Sequence, residues 1–207
     1  MSITNRPGTV PYITAWSRER HVDAGVVRLP WGIAYRDEVP QDRLDGVLWS
    51  RLSILPKDMR GRPEFGRVHA RRQCRAMRKL LCQVCGGPAD RTEQGVLWLL
   101  KDDLDPNDPS WQENLRTTHP PVCLPCAKKA TLQCPHLRRD FVTLRVRDPQ
   151  PYGVYGVLYP PGGPATDATV AYDDHAIRWV RAAQAVVTLR KWVFVDLEAE
   201  RDARSDR

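Results

Sequence analysis

Two Cys-x-x-Cys pairs, Cys82-Gln-Val-Cys85 and Cys123-Leu-Pro-Cys126, constrain this chain more than any other feature. Each pair sets two thiolates at about the spacing a tetrahedral ion needs, and the two together supply four ligands. The alternatives are a redox dithiol, which needs only one pair, and unrelated buried thiols. Gly86 and Gly87 offer the positive φ angles of a tight metal-binding knuckle. Pro125 to Ala130 reads as the first turn of a helix whose N-terminal amides stabilise anionic sulfurs. Four protein ligands leave no open position for water, so the expected ion is one structural zinc on Cys82, Cys85, Cys123 and Cys126.

Two further cysteines fall outside the pattern. Cys74 sits on the apolar stripe of its segment and reads as a small core residue. Cys134 reads as packing or, with the adjacent His136, as a metal ligand that needs His119 or Cys74 as company.

The 207 residues suit one domain, or two small ones that share a core. No stretch reaches the length of a membrane span, and the N-terminus has no apolar signal region. The expected setting is the cytoplasm, where cysteines stay reduced and available to a metal. The net charge of +7 is concentrated. Between Lys57 and Leu81 the basic residues Lys57, Arg60, Arg62, Arg67, Arg71, Arg72, Arg75, Arg78 and Lys79 face only Asp58 and Glu64, so this segment holds the whole excess. Such a patch attracts phosphates or an acidic partner surface; a merely solvated helix face is the plainer alternative.

Val10 to Ser17 and Val26 to Tyr35 read as strands, the second bent or at an edge because of Pro30. Asp45-Gly46 marks a turn, and Gly-Val-Leu-Trp at 46–49 and again at 95–98 suggests two similar turn-then-strand elements. Lys57 to Phe65 reads as a basic loop. From Arg67 to Leu81 the pattern is helical, with Ala70, Cys74, Met77 and Leu81 on one stripe. Arg67, Arg71, Arg75 and Arg78 lie to one side of it, and Arg72 and Lys79 opposite. Gly95 to Lys101 reads as one arm of a hairpin. Asp102 to Pro109 is an acidic loop with the wrong residues for calcium, since Asp108 and Asn114 stand where Gly and Glu are needed. Phe141 to Arg147 alternates as a half-buried strand, with Val142, Leu144 and Val146 inward, and Gly153 to Tyr159 is expected to pair with it. Asp173 or Asp174 is expected to cap a helix reaching Arg190, followed by a buried strand over Lys191 to Leu197.

The order helix, Cys-x-x-Cys-Gly, hairpin, Cys-x-x-Cys opening a helix resembles the treble-clef zinc fold. Together with Glu113-Asn114-Leu115-Arg116 ahead of Cys123, it resembles the HNH nuclease superfamily members that carry a four-cysteine zinc site. The resemblance covers Arg67 to about Leu137. It implies a zinc-held module but not the nuclease chemistry. The catalytic histidine of that superfamily is replaced by Leu100-Lys101-Asp102-Asp103, and Ala127 follows the last ligand where a second histidine is common. His119 and His136 stand elsewhere in the pattern. The whole chain is also similar to small zinc-finger-like proteins of actinobacteria, a likeness that implies a bacterial, cytoplasmic protein and no particular activity.

No Gly-x-Ser-x-Gly, His-Glu-x-x-His or Gly-x-Gly-x-x-Gly is present, and Pro160-Pro-Gly-Gly-Pro lacks the Lys-Ser/Thr ending of a phosphate loop. The expected architecture is α+β. Residues 1–56 form a β-rich region, 57–137 a basic helix with a treble-clef module, 138–198 a ββαβ unit and 199–207 a charged tail. The expected function is non-catalytic: a zinc-stabilised regulator that binds nucleic acid, DNA above all, through Arg60, Arg62, Arg67, Arg71, Arg72, Arg75, Arg78 and Lys79. The alternative is an adaptor that meets an acidic protein surface, with an HNH-like nuclease as a weaker third.

Overall fold

The computed structural model describes residues 8–22, 25–102, 115–135, 137 and 141–200. They fall into two compact units, each discontinuous in sequence. One comprises Met1–Tyr12, Ala76–Gln150 and Thr188–Arg207, the other Ile13–Arg75 and Pro151–Val187. The class is α+β.

In the second of these units β1 (Thr14–Trp16) pairs antiparallel with β6 (Pro63–Val68). The expected strand at 10–17 is thus shorter, and the expected loop at 57–65 gives way to β6 after a single 3-10 turn over Lys57–Met59. Val26 to Tyr35 is two strands, β2 (Val26–Leu29) and β3 (Gly32–Tyr35), that pair with each other. Pro30 lies in the turn between them, where its missing N–H costs no ladder bond. Asp45 (φ 52°) and Gly46 (φ 80°) form the two-residue loop joining β4 (Arg43–Leu44) to β5 (Val47–Trp49). Two positive φ angles are what the right-handed twist of a tight hairpin asks of its loop.

The largest corrections concern the C-terminal third, where the ββαβ unit is not formed. β10 is a single strand over Phe141–Leu158, so Gly153 to Tyr159 continues Phe141 to Arg147 instead of pairing with it. Pro149 and Pro151 are tolerated because they fall between the end of the β8 pairing at Val146 and the start of the β11 pairing at Gly153. The expected helix from Asp174 to Arg190 is a 3-10 turn over His175–Trp179 and then β12 (Val180–Phe194). Asp174 does cap, accepting from the Ala176 N–H at 2.7 Å, but it caps only that turn. Beyond it, Val186, Val187 and Thr188 favour extended backbone, and residues 185–189 are buried whichever face they point to. Within this unit β12 pairs in parallel with β5 through Arg181 and Ala182, and β10 pairs with β11 (Thr166–Ala171). The buried amide of Gln73 fastens the backbone of Ala185 twice, donating to its carbonyl at 3.0 Å and accepting from its N–H at 2.8 Å.

The other unit carries the hairpin of β7 (Arg91–Thr92) and β8 (Gly95–Lys101), with Gly95 at φ 120° where a side chain would collide with the Val146 carbonyl. β8 pairs antiparallel with residues 141–146 of β10. The short β9 (Arg116–Thr117) pairs with β12. Both Gly-Val-Leu-Trp copies therefore open the second strand of a hairpin. Over Lys191 to Leu197 the buried strand expected from Trp-Val-Phe-Val is corrected: Val193 and Phe194 are exposed, Leu197 is buried in the core, and Val195 packs half-buried against it.

Candidate metal centre

The first knuckle is positioned by how the preceding helix stops. α1 spans Ala70–Arg78, shorter than the expected 67–81. Leu80 takes a left-handed φ of 49°, its N–H donating to Met77 O, and the Leu81 N–H reaches back to Ala76 O at 2.8 Å. This pair of bonds is the Schellman ending, here with leucine where glycine is usual. The chain leaves the helix at a defined angle and enters Cys82 one residue later.

The knuckle closes on itself through Cys82 N–H to Gly87 O at 2.7 Å and Gly86 N–H to Cys82 O at 2.8 Å. Gly86 has φ 75°, and a side chain there would meet the Tyr12 ring at 2.9 Å. Gly87 lies outside the left-handed region, so only one of the two glycines meets the expected backbone demand. The second pair sits at the start of α2 (Leu124–Gln133), with Cys123 as N-cap in extended conformation and Cys126 in the first turn. The two knuckles are held together by Gln83 N–H to Pro121 O at 2.9 Å and by a common core. Cys82, Cys126, Leu97, Leu99, Val122, Leu124, Ala127 and Leu197 form that core.

Among the described residues, the sulfurs of Cys82, Cys85, Cys123 and Cys126 all lie within 4.8 Å of one another, and all six cysteines are free thiols. Four sulfurs about 2.3 Å from a central ion stand about 3.8 Å apart at the corners of a tetrahedron. The Cys85 and Cys123 sulfurs are 3.8 Å apart. The donor set and its spacing therefore fit a metal ion. Electrostatics point the same way. Burial pushes the Cys123 thiol up to about 11 and raises Cys126 further. Burial also works against the Cys85 thiolate, but the Gly87 N–H and the neighbouring sulfurs outweigh it and hold that thiol below its ordinary value. Without a cation in their midst, four such sulfurs cannot all be anionic; a dication displaces their protons on binding.

Cys74 is buried on α1, as expected of a core residue. Cys134 caps the C-terminus of α2, half-buried and apart from the four-sulfur cluster. His136, the Glu113-Asn114 half of the resemblance and the calcium-like positions Asp103, Asp108 and Asn114 lie outside the described residues. His119 is exposed, with its carbonyl accepting from Trp98 Nε1 at 2.9 Å.

The basic residues divide. Arg71, Arg75, Arg78 and Lys79 are exposed on the outer side of α1 and its C-terminal turn, and Arg62 and Arg67 are exposed before it. Arg67 pairs with Glu64, and Arg71 donates to Gln41 O at 3.2 Å. Arg72 is a correction: it is buried against Glu19, which it pairs with, and donates to Thr14 O at 2.8 Å. Arg60 is half-buried, donating to Leu55 O at 2.8 Å with Glu19 3.6 Å away. These two guanidinium groups serve the interior, where a buried carboxylate needs them.

Arg145 alternates with the inward Leu144 and Val146, which on a half-buried strand is the solvent side, yet it is fully buried. It bonds Asp90 Oδ1 at 2.8 Å and both carboxylate oxygens of Glu200. Burial opposes its charge, and the Glu200 and Asp90 carboxylates outweigh that and raise its pKa. No protein-family model, curated protein or solved structure matches this chain.

Proposed function

We propose that this is a zinc-stabilised, non-catalytic nucleic-acid-binding protein, with DNA as the favoured ligand and regulation as its role. Zinc is the reading best suited to four thiolates in a closed tetrahedral set; it would supply charge neutralisation and a cross-link between the two knuckles, and no reactive position. The element order α1, first knuckle, β7–β8 hairpin, second knuckle, α2 supports a treble-clef description of the module.

The observation that carries the nucleic-acid reading is the outer side of α1. Arg71, Arg75 and Arg78 recur there at one-turn spacing with Lys79 beside them, and α1 itself contains no acidic residue. Helix residues spaced this way meet successive phosphates, and such contact gives salt-dependent, weakly sequence-specific affinity. A second reading, an adaptor that binds an acidic protein surface, is favoured by the exposed Ile54, Met59 and Phe65 along the same basic stretch.

A duplex-DNA titration across salt concentrations tests the first reading. The Arg71→Ala, Arg75→Ala, Arg78→Ala triple variant should bind at least tenfold more weakly at low salt, and its log–log salt slope should fall by about 3. Equal binding by wild type and variant would transfer the basic face to the adaptor reading.

A further inference from the structure

The last turn of chain in β12 has the composition of a base-stacking platform, and it lies away from α1 in sequence. Thr188-Leu-Arg-Lys-Trp-Val-Phe-Val contains two cations and no acid. Arg190 and Lys191 are exposed, Phe194 is 55% and Val193 47% exposed, and Trp192 is half-buried. Trp192 and Phe194 stand in an edge-to-face pair, with ring centroids 5.1 Å apart and planes at 73°. The segment is fixed at both ends: the Leu189 N–H donates to Leu115 O at 2.8 Å and the Val195 N–H to Thr143 O at 3.0 Å. Lys191, at φ 51°, breaks the strand's regular alternation between them. Three acids follow by residue 200: Asp196 accepts from the N–H groups of Glu198 and Ala199, Glu198 is next, and Glu200 is paired with Arg145.

We infer that this segment is a binding surface for single-stranded nucleic acid: a base stacks on Phe194, braced by Trp192, while Arg190 and Lys191 hold the adjacent phosphates. Charge decides the class of partner, because two cations beside exposed rings select an anion that also carries flat apolar faces. Strandedness follows from the rings, since the bases of a duplex already stack on one another and offer no face to Phe194. The inference rests on residues of this segment alone and does not depend on duplex binding at α1.

The test is fluorescence anisotropy of a labelled oligo-dT, a duplex of equal length and, in a separate arm, vesicles with anionic lipid, each with wild type, Phe194→Ala and the Arg190→Ala, Lys191→Ala double variant. Both changes are at exposed positions, and unchanged thermal melting checks that the fold is intact. Oligo-dT affinity should fall about tenfold or more with Phe194→Ala, while duplex affinity stays within twofold. The double variant should weaken oligo-dT binding and reduce its salt dependence. No oligo-dT binding by wild type, unchanged affinity in Phe194→Ala, or a loss confined to vesicles or shared equally by the duplex would overturn the inference.

Discussion

Cys85 Sγ and Cys123 Sγ lie 3.8 Å apart across 38 residues of chain, at the separation of two ligands on one tetrahedral ion. Between them run the β7–β8 hairpin and the approach to α2, so the contact closes a long loop. The buried partner in the second pair, Cys126, is the ligand whose loss is hardest to replace with water. Cys126→Ser should lose bound zinc and lower Tm by about 10 °C or more, since binding free energy at such a site is folding free energy. Metal analysis and a thermal melt check both.

Arg72 and Arg71 are neighbours in sequence with opposite jobs. Arg72 neutralises the fully buried Glu19, whereas Arg71 is exposed. Arg72→Met should cost about 3 kcal/mol of stability by stranding a buried carboxylate, with Arg60 at 3.6 Å as partial compensation. Arg71→Ala should cost less than about 0.5 kcal/mol. Urea melts separate the two.

His69 supplies a pH dependence. Burial, helped by the Arg72 cation, holds its imidazole at about 4, below the ordinary 6.5. Between those values the unfolded chain binds a proton that the folded chain refuses. Stability from this source is therefore complete above about pH 6.5 and is lost as pH falls toward 4, a change of roughly 3 kcal/mol at most. Urea melts between pH 7 and pH 4 should show His69→Gln with a shallower loss than wild type. The difference between the two proteins isolates His69 from protonation of the cysteines.

What could be read from the sequence was local. The knuckles announce themselves because ligand spacing is a short-range property. The Asp45-Gly46 turn and the β8 strand do so because turn chemistry and a continuous apolar run lie within a few residues. β12 was hidden because it is buried on both faces over residues 185–189, which erases the two-residue alternation of a half-exposed strand. Its apolar residues Val180, Ala183, Val186 and Val187, with Ile177 in the 3-10 turn before it, then happen to match a helical spacing. Arg145 was hidden for the same reason. Thr143 and Arg145 alternate with Leu144 and Val146, but both sides of that part of β10 are covered, and the partners Asp90 and Glu200 are 55 residues away in either direction. Arg72 looks from spacing like one more surface arginine; only the burial of Glu19 shows why it turns inward.

The most direct measurement is metal content with the coordination shell read by X-ray absorption, on protein purified without added metal. The account predicts one zinc per chain surrounded by four sulfurs at about 2.3 Å. Protein that folds and melts normally with no bound metal, or an ion held by fewer than three sulfurs, would contradict it.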